Sequence, residues 1–197
     1  MSTFARLLRE GAAALNASPT PDLDARVLMM AAAKLDHAQL IANSTDQVPA
    51  ALKKTYRLLI ERRREGVPVA HLTGRQEFFG RPFRVTEDTL IPRPETEMLV
   101  EAALQMTPSP QRLLDLGTGT GCLIVTLLSE FPEATGVGVE LSRFAAAVTR
   151  ENAALLGCLK RLEVVEGDFA LAPPERFDLI VSNPPYIEEG AELPSSV

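Results

Sequence analysis

A chain of 197 residues, 46% hydrophobic and 23% charged, has the length for one or two domains and enough apolar content for a core. Its 26 acidic residues outnumber 20 basic ones, for a formal net charge of −6, which argues against a broad phosphate-binding surface and makes a nucleic-acid partner an unlikely expectation. No apolar run approaches a membrane span. Arg6 and Arg9 are followed by Glu10 without a long apolar stretch, a poor signal peptide. Cys122 and Cys158 lie far apart in no metal-ligand spacing and read as buried small hydrophobes in a reducing cytosol, so no metal is expected and the location is expected to be cytoplasmic.

Residues 1–70 are rich in Ala and Leu and lack strand alternation. Phe4, Leu7, Leu8 and Leu15 repeat at helical spacing. Pro21 with Asp22 and Asp24 opens a second helix running through Val27 and Leu28 to Leu35. A third runs from Ala50 to Glu65 with Leu52, Tyr56, Leu59 and Ile60 on one side, so the segment is expected to be a small all-α domain. On that helix Lys53, Lys54, Arg57, Arg62, Arg63 and Arg64 form a basic group. A solvated face explains it better than an acidic partner or RNA. His71 reads as structural. Residues 71–110 form a linker. Phe78 to Val85 is expected to be a hairpin turning at Gly80-Arg81, and Glu95 to Leu104 a helix. Glu95 and Glu97, two apart on a helix, diverge, so at most one faces a site.

From residue 111 the pattern becomes strand, loop, helix. Arg112–Leu116 leads into Gly117-Thr118-Gly119-Thr120-Gly121 and then the apolar helix-like run Cys122 to Leu128. Such a turn aims backbone N–H groups at a ligand, although the third glycine comes one residue early for the dinucleotide pattern. Asp115 either touches the ligand or caps the loop. A strand over Thr135–Val139 ends at Glu140, whose carboxylate can accept both hydroxyls of a ribose. A strand over Leu162–Val165 leads to Asp168 and Phe169, an acceptor and a flat ring suited to an adenine. The run Phe177–Val181 reads as a buried parallel strand that exits into Asn183-Pro184-Pro185-Tyr186. Two prolines hold that exit extended and stiff. The Asn183 amide and the Pro184 carbonyl are thereby presented in fixed directions at the strand's carboxyl end, which is what aiming a primary amide or exocyclic amine requires.

Together D-L-G-T-G-T-G, the acidic strand end, G-D-F and N-P-P-Y resemble the class I S-adenosylmethionine-dependent methyltransferases that modify amino groups. Leu90-Ile91-Pro92-Arg93-Pro94-Glu95-Thr96-Glu97 narrows the likeness to the protein-(glutamine-N5) methyltransferases of the HemK/PrmC family, over residues 20–190. The resemblance implies an α/β, Rossmann-like catalytic sheet over 111–197 behind the helical domain. It implies S-adenosyl-L-methionine as cofactor and, as acceptor, the glutamine of the Gly-Gly-Gln motif in peptide chain release factors. Cofactor contacts are expected from Gly117, Thr118, Gly119, Thr120, Gly121, Glu140, Asp168, Phe169 and Asn183. The acceptor amide is expected at Asn183, Pro184, Pro185 and Tyr186, with Asn183, Pro184 and Tyr186 acting in the transfer and Arg93 and Glu95 nearby.

Alternatives remain open at this point. N-P-P-Y also serves methyltransferases acting on adenine or cytosine amino groups, and ribosomal-protein glutamine methyltransferases are close relatives. A nicotinamide dehydrogenase would explain the glycine loop alone. The family's catalytic sheet continues past N-P-P-Y with three more strands, whereas eleven residues follow Tyr186 here. The sequence thus leads to an expectation of an incomplete, C-terminally truncated sheet, with strands in the order third, second, first, fourth. Its fourth strand would be an apolar edge, and the acceptor pocket would turn over little or not at all.

Overall fold

The computed structural model describes residues 2–184. They divide into two compact units that meet in sequence at Thr73 and Gly74.

The first unit is helical. α1 (Phe4–Ala14) starts at Thr3, whose hydroxyl accepts from the Arg6 N–H. α2 (Pro21–Ala33) starts on a proline with Asp22 and Asp24 in its first turn, and stops at Lys34, left-handed at φ 54°. That end comes before the expected Leu35. α3 (His37–Ala42), which the sequence did not announce, carries a capping box between Asp36 and Gln39. α4 (Ala50–Arg64) falls where expected, and a further short helix, α5 (Val69–Thr73), follows it. Leu7, Leu28, Met29, Leu40 and Tyr56 are almost fully buried between these helices. The basic group on α4 is not a uniformly solvated face. Arg63 turns inward, its Nε 2.7 Å from the buried Asp24 carboxylate, which also accepts from the Ser18 and Thr20 hydroxyls.

The second unit opens with a hairpin, β1 (Arg75–Phe78) against β2 (Arg81–Arg84). Its two-residue turn is Phe79-Gly80, with φ 51° and 69°, one residue before the expected position. A 3₁₀ turn over Pro94–Thr96 precedes α6 (Glu97–Met106), so the helix starts later than Glu95 and runs past Leu104. Pro94 favours that tight first turn because it supplies no N–H. Then come β3 (Arg112–Leu116), α7 (Cys122–Glu130), β4 (Thr135–Glu140), α8 (Arg143–Leu155), β5 (Leu162–Glu166) and β6 (Leu179–Ser182). β6 begins two residues later than the apolar run suggested. The Asp178 carboxylate turns back onto the Gln111 and Arg112 N–H groups, at 2.8 and 2.9 Å, and fixes the strand's entry.

The four strands form one parallel sheet in the order β5-β4-β3-β6, the order expected. Leu113, Ile124, Leu127, Leu128 and Val181 fill the core on one face, and Leu114, Val137 and Val139 cluster on the other. The chain passes from β3 outward to β4 and β5, then returns to the opposite side of β3 as β6. Such a reversal leaves a crevice at the strands' carboxyl ends, where ligands bind in open α/β sheets.

Candidate functional site

Three strand ends converge on that crevice. β3 delivers the glycine loop, β4 ends at Glu140, and β6 is followed directly by Asn183. The loop docks on β4 through Gly117 and Thr118, whose N–H groups both donate to the Val139 carbonyl at 2.8 and 3.1 Å. Glu140 holds it from the side. One carboxylate oxygen accepts from Gly119 N at 2.8 Å and the other from Ser142 N at 2.9 Å. Gly119 is left-handed, at φ 56°, and nothing lies within 4 Å of where a Cβ would stand.

Asp115, the penultimate residue of β3 before the loop, is 1% exposed. Its Oδ2 accepts from the Thr118 hydroxyl at 2.8 Å, while Oδ1 has no hydrogen-bond partner among the described residues. Burial pushes its carboxyl up to about 7, opposed by the Thr118 hydroxyl and the Ile124 backbone N–H and aided by the Glu140 charge.

A small cleft, with a cavity volume of about 40 Å³, opens over these groups. It is lined by Leu90–Arg93, Thr96, Asp115, Gly117–Thr120, Cys122, Leu123 and Asn183. The Asn183 amide donates to the Thr96 hydroxyl at 3.1 Å, joining residues 87 positions apart. Of the residues singled out in the sequence, the pocket therefore gathers Asn183 with Gly117, Thr118, Gly119 and Thr120, along with Arg93.

Others stand elsewhere. Gly121 lies behind the loop against α8, where a Cβ would come within 2.9 Å of the Thr149 methyl. Glu140 is reached through the Gly119 N–H and is not on the pocket lining. Phe169 is half exposed, its ring edge 3.6 Å from the Cβ position of Gly117. Asp168 is exposed and caps its own turn by accepting from Ala170 N at 3.0 Å. Pro184 is partly buried and off the lining. Pro185 and Tyr186 lie outside the described residues. Glu95 is exposed, and Glu97 faces away to accept from Phe79 N at 2.8 Å, so neither joins the pocket. The cysteines are free thiols, and burial pushes that of Cys122 up to about 12.

Sequence reasoning passed over Thr96, Thr149 and Asn152. Thr96 carries no local signal, since its role depends on a residue from the far end of the chain. Thr149 and Asn152 did leave one. They are polar residues at i, i+3 on the alanine-rich face of α8, and both are fully buried.

Two family models match the chain: "PrmC N-terminal domain" over residues 6–74 and "Methyltransferase small domain" over residues 94–196. A release factor glutamine methyltransferase of Cereibacter sphaeroides is 49% identical over 164 residues, covering 83% of this chain and 58% of that protein. One from Koribacter versatilis is 41% identical over 174 residues, covering 87% and 62%. The protein of the same name from Escherichia coli K12 is 40% identical over 184 residues, covering 92% and 66%. The chain thus spans 58% to 66% of the length of these relatives. Among solved structures, a SAM-dependent methyltransferase from Thiobacillus denitrificans in complex with S-adenosyl-L-homocysteine overlaps 46% of this chain and 36% of its own at 27% identity. Its TM-score of 0.39 is too low to bear on the fold.

Proposed function

The chain belongs to the HemK/PrmC family, with a PrmC N-terminal domain followed by a methyltransferase small domain, and on that premise we propose that the protein methylates a glutamine of a peptide chain release factor. The methyl donor is S-adenosyl-L-methionine, the acceptor the side-chain amide nitrogen, and the setting the cytoplasm. The observation that carries this reading is the meeting of Asn183 with the glycine loop in one pocket at the sheet's carboxyl edge.

Two features of the pocket fit the donor. The buried Asp115 carboxylate on the pocket lining suits a cationic amino group, and the open space at Gly119 admits a ligand against bare backbone. Glu140 spends one acceptor site of each oxygen on Gly119 and Ser142, and a carboxylate oxygen has a second to offer a ribose hydroxyl. When bound, S-adenosylmethionine supplies an electrophilic methyl on a sulfonium.

The rest of the task is orientation, because an amide nitrogen is a weak nucleophile whose lone pair is delocalised. Thr96 fixes the roll of the Asn183 amide, leaving its other N–H and its carbonyl oxygen to the acceptor. The Pro184 carbonyl accepts from the acceptor N–H, which raises electron density on nitrogen and stabilises the charge that develops there. The sulfonium would give up its methyl to the nitrogen that the Asn183 and Pro184 groups hold, with the thioether sulfur as leaving group. The nitrogen then sheds a proton that has become acidic, so no base is needed before transfer. The helical unit serves as the recognition module, since glutamine is common and selectivity must come from contacts remote from the reacting amide.

The test is methyl transfer from labelled S-adenosylmethionine offered to a release factor, a ribosomal protein and DNA. Label on the release factor, placed on glutamine by mass spectrometry, supports the reading. Label on DNA with none on the factor overturns it.

A further inference from the structure

The buried side chains of α8 do something the cofactor contacts do not explain. Asn152 is fully buried, yet it is polar and its hydrogen-bonding groups are engaged. Its Oδ1 accepts from Arg84 N at 2.7 Å and its Nδ2 donates to Arg84 O at 2.9 Å, so the amide pairs with β2 as a peptide group of a neighbouring strand would. The second Nδ2 hydrogen goes to the Thr120 carbonyl in the glycine loop, at 2.8 Å. One turn earlier, the Thr149 hydroxyl donates to the Gly119 carbonyl at 2.8 Å. Successive loop carbonyls are thus held from behind by one helix, while Glu140 holds the Gly119 N–H from the side and the space at the Gly119 Cα stays open.

We infer that Asn152 and Thr149 are positioning residues that set the separation of the pocket's two walls, and hence its fit to the donor. The glycine loop is one wall. The other, Leu90–Arg93, begins six residues after Arg84, and the intervening chain is folded tight. Thr86 N donates to the Thr89 hydroxyl, and Thr89 N and that hydroxyl return to the Thr86 carbonyl, all at 3.1 Å. Little slack separates Arg84 from the second wall, so a single buried amide references both walls. An aliphatic replacement would leave the buried Thr120 carbonyl without this donor and free the part-buried Arg84 backbone groups from the helix. Aspartate keeps the shape and the acceptor but loses both donors.

The proposal rests on the methyl-donor reading for its consequence but not for its structural core, and the test separates them. Hydrogen exchange of the unliganded protein is compared among wild type, N152D, T149V and T149S, with S-adenosyl-L-homocysteine affinity measured by calorimetry. N152D and T149V are expected to speed exchange of the Gly119 and Gly121 amides at least tenfold relative to Val137 and Val139 in the same variant. Both are expected to weaken binding by about tenfold, with T149S, which keeps the hydroxyl, near wild type. Equal acceleration of loop and strand amides would mean general destabilisation and would overturn the proposal. So would unchanged loop exchange, or affinity within twofold of wild type in a folded N152D and T149V. Loosened loop amides in a protein whose wild type binds no S-adenosyl-L-homocysteine would uphold the clamp and refute the methyl-donor reading instead.

Discussion

At the scale of single residues, Asn183 and Asp115 make opposite predictions. Asn183→Ala removes the donor to Thr96 and the groups offered to the acceptor, and should lower the transfer rate about 100-fold while leaving donor affinity within a few-fold. Single-turnover rates beside calorimetry would check this. Equal losses in both would make Asn183 a donor ligand. Asp115 should show itself through pH. Its carboxyl ordinarily titrates near 3.8 and is raised by burial to about 7, so between those values the folded protein keeps a proton the unfolded chain has released. Stability should therefore fall as pH rises through that window, by up to about 4 kcal/mol, and level off above it. Asp115→Asn should flatten the dependence, as chemical unfolding at pH 5 and pH 8 would show. A bound ammonium favours the ionised carboxylate, so donor affinity should rise as pH climbs through 7 in wild type and not in Asp115→Asn. Much of this was legible in the residues. The glycine loop and Asn183, which share the pocket, announced themselves by spacing, whereas Glu140 at the acidic strand end stands off the lining and holds the loop instead. What stayed hidden were partners such as Thr96 and Asn152, whose polar groups matter only because strands far apart in sequence become neighbours.

At the scale of elements, the N-terminal helices meet at a close crossing that the sequence pattern did not show. α1 carries Gly11 where it meets α4, and a Cβ there would stand 2.1 Å from the Tyr56 hydroxyl and 3.1 Å from Ile60 Cδ1. Tyr56 is 1% exposed, and its hydroxyl has no hydrogen-bond partner among the described residues. Gly11→Ala should destabilise this unit by about 1–3 kcal/mol despite the better helix propensity of alanine. Tyr56→Phe, which deletes the unpaired hydroxyl and the nearest clashing atom, should be no less stable than wild type and should relieve part of the Gly11→Ala loss. Denaturant melts of the four proteins of this cycle would measure the coupling, and strict additivity would refute the crossing as described. The apolar repeats placed α1, α2 and α4 because each is long enough to show its period. The six residues of α3 and five of α5 are too few to do so, and the Asp36–Gln39 spacing that caps α3 was not read as a helix start. β6 was misjudged at its start for a related reason: an apolar Phe177 invites a strand, while the adjacent Asp178 ties that stretch to the head of β3 by its side chain.

At the scale of the molecule, the two units make separable roles testable. Deleting residues 1–73 should spare S-adenosyl-L-homocysteine binding and reduce methylation of an intact release factor sharply, while a short glutamine peptide should lose little. Full retention of activity on the intact factor would remove the recognition role from the helical unit. The strand order could be anticipated in full because it is the order that the resemblance to the family implied. How the hairpin is knitted to α8 could not, since it turns on the buried Asn152 amide and the Arg84–Glu151 ion pair. The strand order also has a consequence in time. β3 is the first of the four strands to be synthesised, yet it lies inside the sheet, and its register pairs Leu113 with Leu179. A ribosome making this protein has therefore exposed β3, β4 and β5 before the strand that seals the other flank of β3 exists. Contacts so distant in sequence are slow to form. Until they do, the nascent chain presents Leu113-Leu114 along an open flank, the interval in which a chaperone or an unwanted neighbour would meet it.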